Sequence, residues 1–127
     1  DGNDVAIIAC GVLVSKALEA AEILFSEGIE ASVVDMHTLK PLDEELVAKL
    51  VSECGCVVTA EDHSVIGGLG GAVAEFLVTN QPAPLEMVGV NDRFGESGEA
   101  EEMLDLLAIN TADIVAAATR AIDRKEI

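Results

Sequence analysis

Basic residues are scarce: the 127-residue chain carries 7 Lys and Arg against 24 Asp and Glu, a formal charge of −17. A surface this anionic repels phosphate backbones and anionic lipid, which argues against nucleic acid and against a membrane surface as partner. Cysteine is sparse too. Cys10, Cys54 and Cys56 are odd in number and lie in strand-like surroundings, so a disulfide scaffold is not expected and reduced core thiols in a cytoplasmic protein are. Long apolar runs are missing. The longest uncharged stretch, His63 to Ala74, is interrupted by glycines and falls short of the ~20 apolar residues needed to span a bilayer. Asp1 and Asp4, with no basic region beside them, argue against a secretory signal. What is abundant is apolar: half of the residues are of that kind, although only three are aromatic. A mean hydropathy of +0.41 rules out an acidic disordered tail. The length fits one domain able to bury a real core.

Periodicity alternates between short apolar runs and helical spacing. Val5 to Cys10 is an unbroken apolar run closed by Gly11, the pattern of a strand covered on both faces. A helix is expected from about Leu13, with Val14, Leu18, Ala21 and Phe25 on its inward stripe, Ala17 and Leu24 flanking it, and Gly28 ending it. Ala31 to Asp35 reads as a second strand and 36–42 as a loop. Asp43 is placed to cap a helix that turns Leu46, Val47, Leu50 and Val51 inward. Cys56 to Ala60 reads as a third strand followed by the polar loop Glu61-Asp62-His63-Ser64. Leu69, Ala72, Val73, Phe76 and Leu77 make the next helical stripe, and Leu85 to Val90 a fourth strand. An acidic helix is expected over 99–107, and a last one, capped by Asn110-Thr111, from Ala112 to about Arg124, with Arg120, Arg124 and Lys125 at its negative end. Strand and helix alternate without interruption. This predicts a single α/β domain over residues 1–127: three layers, α/β/α, around a mainly parallel sheet.

In such sheets ligands gather beyond the carboxyl ends of the strands. The richest of those segments is Glu61-Asp62-His63-Ser64-Val65-Ile66-Gly67-Gly68-Leu69-Gly70-Gly71. Glycines at a strand-to-helix turn permit close backbone approach, and a helix start attracts anions. The register is neither a dinucleotide fingerprint, since Val73 stands where a small residue belongs, nor a P-loop, since no Lys-Ser/Thr follows. Close packing or contact between chains is therefore the plainer reading of the glycines. His63, beside two carboxylates, is the candidate general acid or base; the plainer alternative is a histidine lining an interface. A zinc site from His37, Cys54, Cys56 and His63 is conceivable, because strand alternation would point both thiols of Cys-x-Cys the same way, but no second matched pair supports it. Ser15, Ser64 and Ser97 lack a nucleophile elbow, and no cysteine stands at a helix start with an obvious base. Arg93 is a lone cation between acidic neighbours, suited to an internal ion pair, an anionic ligand or a neighbouring subunit. No catalytic set is complete, and no metal or cofactor site is assigned from the residues alone.

Four segments in order resemble the C-terminal domain of the transketolase family. These are Asp4 to Gly11 followed by a helix, Asp35-Met36-His37-Thr38-Leu39-Lys40-Pro41-Leu42-Asp43, Glu61-Asp62-His63 with Gly67 to Glu75, and Arg93-Phe94-Gly95-Glu96-Ser97-Gly98. The resemblance implies a part of an enzyme that uses thiamine diphosphate and a divalent metal to move two-carbon ketol units between sugar phosphates. In that family the cofactor lies between two other domains, and the C-terminal domain buttresses a dimer and trims the entrance. The chain itself is then expected to bind no cofactor and to be silent alone. Its partners are expected to be the remaining thiamine-binding domains or subunit, in a homo-oligomer. Glu61, Asp62, His63, Ile66, Gly67, Gly68, Gly70 and Arg93 become its interface or entrance residues. The family domain usually begins with an additional antiparallel edge strand, for which there is no room here. An excised fragment with strand order 2-1-3-4 is the expectation, its second strand an edge that something else covers. The matching domain of 1-deoxyxylulose-5-phosphate synthase, or of a 2-oxo-acid dehydrogenase β subunit, shares the architecture. A free-standing flavodoxin-like module is the alternative of another class, although Gly11 to Ser15 lacks the donors a flavin phosphate would need.

Overall fold

Val5-Ala6-Ile7-Ile8-Ala9 has no polar side chain on either side of its pleat, and as strand β1 (Val5–Ala9) all five residues are completely buried. A computed structural model describes residues 3–11, 13–36, 43–64, 69–80, 82–90 and 110–125, with the backbone alone at 62–64 and 90. After β1 come α1 (Leu13–Ser26), β2 (Ala31–Asp35), α2 (Glu44–Cys54), β3 (Val57–Ser64), α3 (Leu69–Thr79), β4 (Leu85–Val90) and α4 (Thr111–Arg124). The described strands form one parallel sheet in the order β2-β1-β3-β4, with Ile7 opposite both Val33 and Val58, and Thr59 opposite Met87.

Alternation along β1 divides the core. Val5, Ile7 and Ala9 join Leu13, Ala17, Ala20 and Leu24 of α1 and Ile114, Ala117, Ala118 and Ala121 of α4 on one face. Ala6 and Ile8 join Val47, Leu50 and Val51 of α2 and Leu69, Val73, Phe76 and Leu77 of α3 on the other. This is the expected three-layer α/β/α arrangement with strand order 2-1-3-4. None of the described helices is long and apolar enough to cross a membrane.

Three expectations need correction. The inward stripe of α1 is Leu13, Ala17, Ala20 and Leu24, one residue out of phase with Val14, Leu18, Ala21 and Phe25. Both sets have the same spacing, and the smaller alanines win because they let the helix lie close to the sheet; Leu18 and Phe25 are left 54% and 71% exposed. β3 continues through Glu61-Asp62-His63-Ser64 where the sequence suggests a polar loop, with an irregularity in register between Ala60 and Ser64. Cys54 closes α2 and packs with one face of the core, whereas Cys56 packs with the other, so the two thiols do not point the same way. Elsewhere the local signals hold. Gly28 ends α1 at φ +84°, Asp43 accepts from the Leu46 N–H at 3.1 Å, and Asn110 with Asp113 forms a capping box at the start of α4.

The basic end of α4 acts through contacts rather than through the helix dipole alone. Lys125 Nζ donates to the Asp4 and Cys54 carbonyls at 2.7 and 2.8 Å, tying the chain's last described helix to the start of β1 and the end of α2. Arg120 Nε and Arg124 Nη1 reach Glu86 Oε1 and Oε2 at 2.9 and 2.7 Å, and Arg124 also donates to the Leu85 carbonyl of β4. Partial burial alone would raise the Glu86 pKa; the hydrogen bonds and positive charges of the two arginines outweigh it and hold the carboxyl below the usual glutamate range. A lowered folded pKa means stabilisation that is present above the unfolded value, about 4.3, and is lost as pH falls through the folded one. Glu86→Gln is therefore expected to cost about 1 kcal/mol at pH 7, because both arginines are half exposed. The difference from wild type should close in urea titrations repeated at progressively lower pH.

Candidate functional site

The carboxyl end of β3 and the start of α3 meet at Glu61. Its side chain is 1% exposed, and its two oxygens accept backbone N–H bonds from the first two residues of α3: Oε2 from Leu69, and Oε1 from Gly70 at 3.4 Å. The first turn of a helix has N–H groups without intrahelical partners and carries the positive end of the dipole. A carboxylate delivered from the neighbouring strand satisfies both demands. Glu61 thus fills the position that a ligand's phosphate would take at such a turn.

The helix start is pressed against the sheet. A Cβ at Gly70 would stand 2.7 Å from Met87 Sδ and 3.1 Å from Thr59 Oγ1. Gly70 is consequently glycine for space: a side chain there would have to displace the Met87 thioether and crowd the Thr59 hydroxyl. The Thr59 hydroxyl, buried beneath it, has no hydrogen-bond partner among the described residues. Thr59 and Met87 were read only as strand residues in the sequence. The sole hint was a polar residue within the otherwise apolar Val57-Val58-Thr59-Ala60.

Of the residues singled out in advance, the structure brings together Glu61 and Gly70. Asp62 and His63 belong to β3 by backbone, at the same end of the sheet. Ile66, Gly67, Gly68 and Arg93 lie outside the described residues, as do His37 and the helix expected over 99–107. No group of three or more His, Cys, Asp or Glu that could hold a metal occurs among the described residues. Burial pushes the thiols of Cys54 and Cys56 up in pKa, against a hydrogen bond from Ser32 to the first and the charge of Lys125 near both. Neither is therefore a thiolate nucleophile at neutral pH.

Residues 1–114 match the family "Transketolase, C-terminal domain". The chain belongs to that family. It is 48% identical over 125 residues to the 6-deoxy-6-sulfo-D-fructose transketolase subunit SqwH of Clostridium sp. (strain MSTE9), covering 98% of this chain and 39% of that protein. It is 42% identical over 119 residues to 1-deoxy-D-xylulose-5-phosphate synthase 1 of Geobacter sulfurreducens, covering 92% of this chain and 19% of that one. Among solved structures it matches a split-gene transketolase, an inactive beta4 tetramer, with a TM-score of 0.95 and 51% identity over 98% of this chain and 41% of that one. The chain spans less than half the length of each of these relatives.

At the glycine-rich turn, the Leu69 and Gly70 N–H groups that could receive a phosphate already hold the Glu61 carboxylate, so these two donors do not fit the diphosphate of a thiamine cofactor. In this chain the Glu61–Gly70 contact is a structural joint. Glu61→Ala leaves two buried N–H groups without their acceptor, and each such group costs about 1–3 kcal/mol. Glu61→Gln, with one acceptor retained, should fall between this variant and wild type in chemical denaturation. Gly70→Ala should cost a further-testable ~1–3 kcal/mol by overpacking against Met87 and Thr59, read as a lowered thermal midpoint.

Proposed function

We propose that this chain is the C-terminal assembly domain of a thiamine-diphosphate-dependent transketolase that transfers two-carbon ketol units between sugar phosphates. It forms one domain, binds neither thiamine diphosphate nor its divalent metal, and is catalytically silent alone. The cofactor and metal belong to the remaining thiamine-binding domains or subunit, with which it assembles in a homo-oligomeric enzyme. Glu61 supports this reading most directly. A domain built to hold a phosphate at the glycine-rich turn would leave the α3 N–H groups for the ligand, whereas here its own carboxylate uses them. Asp62 and His63 then lie at the strand end that abuts the rest of the enzyme. His63 is its candidate acid or base, and Ile66, Gly67, Gly68 and Arg93, which lie outside the described residues, are assigned to the same interface or entrance from the sequence alone.

A second reading has an observation of its own. The similarity to a 1-deoxy-D-xylulose-5-phosphate synthase over 92% of the chain supports the same assembly role in a synthase, with the substrate chosen by residues elsewhere in the enzyme.

Reconstitution separates these readings. The polypeptide is added to the thiamine-binding remainder of its enzyme, prepared without this domain, and ketol transfer and association are measured together. Ketol transfer that appears only in the mixture is the expected result. Association without it moves the substrate to a synthase, and transfer by residues 1–127 alone defeats the claim that the domain is silent.

A further inference from the structure

Beneath the start of α3 a buried hydroxyl stands beside a methionine that solvent reaches. Val57 and Thr59 alternate onto the α3 side of β3, and Glu61 follows with its carboxylate on the Leu69 and Gly70 N–H groups. Thr59 is 1% exposed, and its Oγ1 has no hydrogen-bond partner among the described residues. Opposite it in register on β4 is Met87, so the two side chains stand side by side on one face. Gly70 brings them together from above. The point where its missing Cβ would stand is 2.7 Å from Met87 Sδ and 3.1 Å from Thr59 Oγ1. Sulfur and hydroxyl thus border the same small gap, and a thioether is only a weak acceptor. Met87 is nonetheless 44% exposed, against 5% for Met36, the other described methionine. A buried donor without an acceptor, next to the sulfur of a partly exposed side chain, is one oxygen atom short of a hydrogen bond.

We propose that Met87 is an oxidation site for hydroperoxides, and that the Thr59 hydroxyl receives the oxygen the sulfur gains. The sulfur lone pair attacks one oxygen of the hydroperoxide. The S–O bond forms as the O–O bond breaks, and the departing oxygen takes up the proton and leaves as water or an alcohol. Sulfur is oxidised by two electrons and the peroxide is reduced by two. The sulfoxide oxygen then accepts from the Thr59 O–H, and the rotatable bonds of the methionine side chain let it turn toward β3. Oxidation ordinarily disrupts a packed methionine by making it polar. Here it supplies the acceptor that Thr59 lacks and links β3 to β4 through side chains under the start of α3.

The complete enzyme is treated with hydrogen peroxide, then with dithiothreitol to restore reversibly oxidised thiols, and each methionine is followed by peptide mass spectrometry. Met87 is expected to gain oxygen about tenfold faster than Met36, as the difference in exposure dictates. Thermal midpoints before and after treatment test the role of Thr59. Thr59→Val keeps the shape and removes the donor, so before oxidation the variant is expected to be at least as stable as wild type. After oxidation wild type should keep its midpoint, whereas Thr59→Val falls by several degrees. Adding Met87→Leu to Thr59→Val should abolish that fall. Oxidation of Met87 no faster than that of Met36 overturns the proposal, and so does a fall of equal size in wild type and Thr59→Val. A Thr59→Val protein less stable than wild type before oxidation overturns it too, because the hydroxyl would then already have its acceptor. A fall that persists with Met87→Leu comes from another residue and has the same consequence. Neither readout uses ketol transfer, so the proposal stands or falls apart from the function argued above.

Discussion

Complete burial of β1 on both faces is the constraint from which the rest of the architecture follows. Five residues without a polar side chain cannot stand at the edge of a sheet or under a single layer. They require a strand on either side and a helix layer above and below. β2 and β3 supply the flanking backbone, α1 with α4 cover Val5, Ile7 and Ala9, and α2 with α3 cover Ala6 and Ile8. Parallel pairing then demands crossovers, and the crossovers are the covering helices themselves. One consequence is that every connection following a strand opens at the same end of the sheet. The carboxyl ends of the four described strands lie together there for reasons of topology before any question of chemistry arises.

At that end the structure makes a choice that bears on function. A glycine-rich turn feeding a helix could serve an external anion, but β3 is extended past Ala60 and delivers Glu61 to the α3 amino terminus. Burying a carboxylate is tolerable only where donors meet it, and the helix start provides them. At the same place α3 lies so close to β3 and β4 that a methyl group at residue 70 would have to displace the Met87 side chain. Charge satisfaction and close packing therefore reinforce each other, and the joint reads as rigid support for whatever lies against the carboxyl end of the sheet.

Much of this was legible in the residues. β1, β2 and β4 announce themselves as short apolar runs. Gly28, Asp43 and Asn110 mark helix ends through chemistry that acts within one turn. What was not legible depended on partners distant in sequence. The phase of α1 cannot be read from spacing, because Leu13/Ala17/Ala20/Leu24 and Val14/Leu18/Ala21/Phe25 are the same pattern displaced by one residue; bulk favours the second set and close approach to the sheet selects the first. The length of β3 was hidden because Glu-Asp-His-Ser looks like a loop until a helix terminus is there to receive the glutamate. The Arg120–Glu86–Arg124 contact spans more than thirty residues and left no local trace. Nothing can be compared for Ile66, Gly67, Gly68 and Arg93, which lie outside the described residues.

The two edges of the sheet are furnished differently, and the difference fits a domain that must associate in one direction. At β4, Arg124 occupies the Leu85 carbonyl while Glu86 holds the guanidinium in place, so part of that strand's hydrogen-bonding capacity is already spent on the chain's own helix. Charged cover of this kind discourages strand addition. At β2 the residues Ala31 to Val34 are half covered rather than buried and Asp35 is exposed. The charge of −17 adds a long-range bias toward surfaces of opposite sign. Of the two edges, the β4 side is thus the one already engaged by the chain's own helix, and the β2 side keeps more of its surface uncovered.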